Sequence, residues 1–104
     1  MPSICPIPQR LKEARTNNNL SQQKLGELLG LEAGNASARM NQYERGKHTP
    51  DFDTLKRIAE VLDVPVAYFY CEDELEAKIV EAMHKLDSTK KIAVLEFLGR
   101  LTNG

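Results

Sequence analysis

Apolar positions along the chain recur at helical spacing, and no stretch alternates apolar and polar residues over six positions as a half-buried strand would. The start, 1–8, reads as an extended arm held open by Pro6 and Pro8. A first helix over 9–17 puts Leu11, Ala14 and, at its margin, Arg15 on one side. Three asparagines at 17–19 favour a turn, because their side chains compete for the backbone and tolerate left-handed conformations. Ser21 is a good N-cap for a second helix whose buried stripe is Leu25, Leu28 and Leu29. Lys24 stands where a capping box would have Glu, so half of that signature is present. Gly26 inside this helix costs about 1 kcal/mol relative to Ala, which predicts a neighbouring helix crossing tightly there.

Gly34-Asn35 punctuates the chain again, one residue ending a helix and the next able to cap another. A third helix over 36–45 turns Met40 and Tyr43 inward and is stopped by Gly46. Residues 47–50 form a loop, and Asp51 or Asp53 caps a fourth helix with the stripe Leu55, Ile58, Ala59 and Leu62. Pro65 opens a short fifth helix over 66–70. In the remaining segment, 71–104, Leu75, Ile79, Ala82, Met83 and Leu86 keep helical spacing, and Asp87-Ser88-Thr89 breaks and recaps the chain. Seven of the next ten residues from Ile92 to Leu101 are apolar. A one-sided helix uses only three to four per two turns. The excess needs a cover: the preceding helix, the body of the protein, or a second chain.

Charge sharpens this picture. The total is near neutral, −1, but residues 1–50 balance to +3 and residues 51–104 to −4, with four acids within 72–76. Such a split points to a front half facing a polyanion and a back half facing solvent or a partner. The acidic run either faces away from phosphate or complements a helix start. Cys5 and Cys71 lie far apart, and with His48 and His84 they lack the paired spacing of structural zinc, so reduced thiols and no metal are expected. No apolar run approaches the roughly 18 residues of a membrane span, and the first residues lack the build of a signal peptide, so a cytoplasmic location and no membrane contact are expected. Paired carboxylates in an apolar setting, a Gly-rich phosphate loop and a Cys with a local His are all missing, so no enzymatic activity and no cofactor are expected.

The residues Leu20-Ser21-Gln22, Leu25-Gly26, Leu29-Gly30, Met40-Asn41-Gln42-Tyr43-Glu44-Arg45-Gly46-Lys47, Pro50, Leu55, Ile58-Ala59 and Leu62-Asp63-Val64 stand in an order that resembles the phage-repressor and Cro-like (XRE) helix-turn-helix family. The match covers 9–70 and joins several elements in sequence. It implies an all-α fold and a five-helix lambda-repressor-like DNA-binding domain; outside the match, the apolar spacing over 71–104 predicts a C-terminal helical hairpin that dimerises. The resemblance also implies a sequence-specific transcriptional regulator, a repressor, acting as a homodimer on double-stranded DNA of a bacterial or phage operator. A protein-binding adaptor or antitoxin, gripping its partner with the tail, is the alternative. No sensor for a small-molecule effector is evident after Tyr70.

A major groove about 12 Å wide accepts one helix, braced by the helix before it. The exposed face of the third helix offers Ser37, Ala38, Arg39, Asn41 and Gln42. Gln42 or Asn41 suits adenine, Arg39 suits guanine, and the Ala38 methyl suits thymine. The resemblance implies that Gln22, with backbone N–H groups at the start of the second helix, meets a phosphate, and that Arg45 and Lys47, with His48 beside them, clamp the DNA backbone. It further implies a partly buried salt bridge between Arg15 and Glu44. Ile92, Leu95, Phe97, Leu98 and Leu101 are the candidate dimer contacts. One departure stands out: the family has about six steps between the positions of Gly30 and Met40, and this chain has ten. The second helix either runs one turn further, to Gly34, or ends at Gly30 and leaves a longer loop.

Overall fold

Capping chemistry sets most of the helix boundaries in the computed structural model, which describes residues 4–103. α1 spans Ile7–Asn17 and α2 spans Gln22–Leu28, the latter begun by Ser21, whose hydroxyl accepts from the Lys24 N–H at 2.9 Å. α3 spans Ala33–Glu44. α4, Phe52–Leu62, is capped by Asp51, which accepts from the Thr54 N–H at 2.8 Å. A 3-10 helix, Val66–Tyr70, follows Pro65. α5, Glu74–His84, is capped by Asp73, and Asp87 accepts from the Lys90 N–H at the start of α6, Ser88–Asn103. Among the described residues all regular secondary structure is helical.

The core gathers Leu11 and Ala14 of α1, Leu25 of α2, Met40 of α3, Leu55 and Ile58 of α4, and Tyr68 and Phe69 of the 3-10 helix. The crossing expected at Gly26 is there. A Cβ on Gly26 would lie 2.6 Å from the Cβ of Ala36 and 2.9 Å from its carbonyl oxygen, so only glycine lets α2 and α3 approach this closely.

Four expectations are corrected. The extended arm does not reach residue 8: α1 begins at Ile7, which is buried, and Pro8 sits in the first turn, where its fixed φ and missing N–H suit a helix. Residues 1–3 of that arm lie outside the described residues. Leu28 is not part of the buried stripe but 49% exposed, because a seven-residue helix turns only Leu25 and Gly26 inward before Leu29 follows at its cap. Gly34-Asn35 is no boundary, since both residues lie in the first turn of α3. The helix assigned to 36–45 therefore covers Ala33–Glu44, with Arg45 as its C-cap. The extra residues neither lengthen α2 nor form a long loop. α2 stops at Leu28 and Gly30 turns the chain at φ +88°, a conformation that favours glycine. Helix resumes at Ala33, so residues 33–35 lie in the first turn of α3.

The tail is held to the body by a buried cation. Arg10, 2% exposed, donates to Glu74 at 2.8 Å, to Glu13 at 3.0 Å and to the Cys71 carbonyl at 2.9 Å. Glu13 also accepts from the Tyr68 hydroxyl at 2.7 Å. Desolvation tends to discharge the guanidinium, but Glu74 and Glu13 outweigh it and hold Arg10 protonated. Glu74, one of the clustered acids, thus has a structural partner. At the other end of α5, Lys85 donates at 2.8 Å to Asp63, the left-handed residue that ends α4. α5 buries Ala77 against the core, and a hollow of about 280 Å3 lined by Ile79, Ala82, Met83, Leu86 and Val94 lies between α5 and α6, which do not close on each other as the packed hairpin expected from the sequence would. α6 itself buries none of its residues.

Candidate nucleic-acid interface

At 3.6 residues per turn, Ala36, Met40 and Tyr43 form the inner edge of α3, and Gly34, Ala38 and Arg45 fall opposite them. Ser37 and Asn41 flank that outer line on one side, and Asn35, Arg39 and Gln42 on the other. Ser37, Ala38 and Arg39 are exposed, whereas Asn41 and Gln42 are half-buried. The tail helices do not cover this side.

Two groupings result. The first is an open polar hollow of about 430 Å3 where α3 meets the following loop, lined by Arg39, Gln42, Tyr43, His48 and Thr49. It brings three of the residues singled out in the sequence to one place. Arg45 and Lys47 stand exposed beside it, where Gly46, at φ +75°, turns the chain out of the helix.

The second grouping is a bonded network behind the outer face. Arg15 donates to Glu44 through Nε at 2.5 Å and Nη2 at 3.0 Å, and through Nη1 to the Leu20 carbonyl at 2.7 Å. The Glu44 side chain is 3% exposed, so this is a bidentate ion pair largely removed from water. Its bond to Glu44 raises the Arg15 pKa further above the ordinary range. Gln22 Nε2 donates to Glu44 at 3.1 Å and to Asn41 Oδ1 at 3.3 Å. Gln22 and Asn41 are therefore tied to each other, and the network links α1, α2 and α3. These two amides are engaged within the network, whereas Arg39, Gln42, Arg45, Lys47 and His48 lie outside it.

Sequence reasoning missed two features. Arg10 counted among the front-half bases, yet it is enclosed against the tail; the acid-rich run at 72–76 was the signal for its partner. The exposed first turn of α3, with Gly34 and Asn35, was hidden by reading those two residues as a break. Among the described residues no three of His, Cys, Asp and Glu gather as a metal site would need, and no helix is long and apolar enough to cross a membrane.

Residues 11–69 match the Helix-turn-helix family. The chain is 33% identical over 64 residues to an uncharacterized HTH-type transcriptional regulator of Sinorhizobium medicae (strain WSM419), covering 62% of this chain and 43% of that protein. It is 34% identical over 72 residues to the HTH-type transcriptional regulator ImmR of Bacillus subtilis (strain 168), covering 69% and 54%. The chain thus spans about half the length of the curated relatives it matches. Its fold superposes on the crystal structure of transcriptional regulator BswR with a TM-score of 0.85 at 39% identity, over 90% of this chain and 93% of that one. A chain of the SinR–SinI complex superposes with a TM-score of 0.64 at 24% identity, over 94% and 99%, a likeness of fold alone.

Proposed function

This chain belongs to the helix-turn-helix family of DNA-binding transcriptional regulators, and we propose that it works as a dimeric repressor that lays α3 of each copy in the major groove of an operator. The observation that carries this reading is the outer side of α3. It is free of the tail, polar, and continuous with the exposed Arg45, Lys47 and His48.

In this reading Arg39 and Gln42 meet base edges from the wall of the polar hollow, the Ala38 methyl meets a thymine, and Ser37 supplies a hydroxyl on the opposite flank. Asn41 reaches a base only by exchanging its bond from Gln22, and Gln22 turns toward a phosphate in the same exchange. Arg45, Lys47 and His48 hold the backbone and carry no sequence information. Arg15 and Glu44 set the angle of α3 and touch no DNA.

The tail supplies the second copy. Ile92, Leu95, Phe97, Leu98 and Leu101 are all exposed large hydrophobics on α6, and such a grouping of exposed apolar residues marks an interaction surface. Two copies related by a two-fold axis cover it and set two α3 helices to half-sites about 34 Å apart.

The test is binding of the full chain to duplex DNA across salt concentrations. Repression through α3 requires affinity that falls steeply, with about 0.9 added to the log–log slope for each phosphate neutralised. A flat response would favour the adaptor reading, in which the apolar face of α6 grips a different protein.

A further inference from the structure

We propose that Asn35, on the first turn of α3, is a specificity-determining residue that reads a base edge beyond those met by Arg39 and Gln42. The inference rests on α3 being the recognition helix. Asn35, Arg39 and Gln42 stand at i, i+4 and i+7, so they form one row along one edge of the helix. The row extends about 10 Å along the helix axis from Gln42 to Asn35, far enough for a separate base pair.

The turn that carries Asn35 is anchored in register rather than frayed. The Cα, Cβ and carbonyl oxygen of Ala36 are seated against Gly26 of α2, Gln23 Nε2 donates to the Ala33 carbonyl at 2.8 Å, and the Ala36 N–H donates to the Glu32 carbonyl at 3.0 Å. Asn35 itself is exposed, and among the described residues its carboxamide makes no side-chain hydrogen bond, unlike Gln22 and Asn41, which hold each other. Its neighbour Gly34 has nothing within 4 Å of where a Cβ would stand. The row therefore ends in a free carboxamide beside a residue with no side chain to hold the helix off a groove floor. A carboxamide presents one acceptor and two donors, the set that pairs with N6 and N7 of adenine.

The experiment selects bound sequences from a random duplex pool with the full chain as wild type, Asn35→Ala and Gln42→Ala, followed by titration of each on the wild-type consensus and on unrelated duplex. Ala favours an exposed helical position, and a thermal melt of each variant verifies its folding. Expected is loss of preference at one base pair for Asn35→Ala, different from the one Gln42→Ala loses, with roughly 10-fold weaker binding to the consensus and unchanged binding to unrelated duplex. If Asn35→Ala keeps every preference while Gln42→Ala loses one, the inference about Asn35 is overturned and the reading of α3 stands. Equal weakening on all sequences assigns Asn35 to the phosphates and also overturns it. A wild-type chain that enriches no sequence overturns the reading of α3 and this inference together.

Discussion

Gln42 and Lys47 lie within a few residues of each other yet carry opposite expectations. Gln42 lines the polar hollow on the outer edge of α3, so Gln42→Ala should cost about 1–3 kcal/mol on the cognate operator and leave binding to unrelated duplex intact. Lys47 is exposed past the helix end, and Lys47→Ala should weaken all duplexes alike and reduce the salt slope by about one. Titrations of both variants on two sequences at several salt concentrations check the pair. Deeper in the protein, burial and then the bond donated to Glu13 hold the Tyr68 phenol well above the ordinary tyrosine range. The folded chain keeps that proton while an unfolded one releases it near pH 10. Stability therefore falls as pH rises above about 10 and is unaffected by this group below it. Urea midpoints at pH 9 and pH 11 should separate more for wild type than for Tyr68→Phe. The roles of charged residues were only partly legible in the sequence. Arg15 and Glu44 came from family resemblance, but enclosure of Arg10 depends on Glu74, 64 residues away, and the acid-rich run that holds Glu74 does not by itself say which base it pairs with.

At the level of elements, the packing of α2 on α3 decides how the outer face is presented. Gly26→Ala improves intrinsic helix propensity by about 1 kcal/mol, but the new methyl meets the backbone of Ala36 at 2.9 Å, which cannot yield as a flexible side chain would. The net result should be a loss of about 1–3 kcal/mol, read from chemical denaturation, together with weaker DNA binding as α3 is pushed outward. This contact was foreseen from a glycine placed where helix periodicity wants a side chain. The boundary of α3 was not foreseen. Gly34 and Asn35 are common punctuation, and what holds them in the helix is tertiary: Gln23 of α2 donates to the Ala33 carbonyl on one side of them and Ala36 packs against Gly26 on the other.

On the scale of the molecule, the body and the tail solve different problems. The body closes its core with the help of Ala77 from α5, while α6 leaves Leu95 at 70% exposure and its other large apolar residues about half exposed or more. If α6 joins two copies as proposed, Leu95→Glu should sediment as a monomer where wild type sediments as a dimer, leave the melting of the body near its wild-type value, and weaken operator binding much more than binding to a single half-site. The number of helices, the inward stripes of α1 and α4, the caps of α2, α4 and α6 and the surplus of apolar residues in the tail follow from short-range order along the chain, whereas Leu28 of α2 and Leu75 and Ile79 of α5 keep helical spacing yet stand exposed. Periodicity and capping act over one or two turns and so are written locally. Where α3 begins, which arginines are withdrawn from the surface, and how Gln22 and Asn41 occupy each other depend on groups that meet only after the helices pack. These were settled by the folded arrangement, because close packing and the cost of burying unpaired charge act between residues distant in the chain.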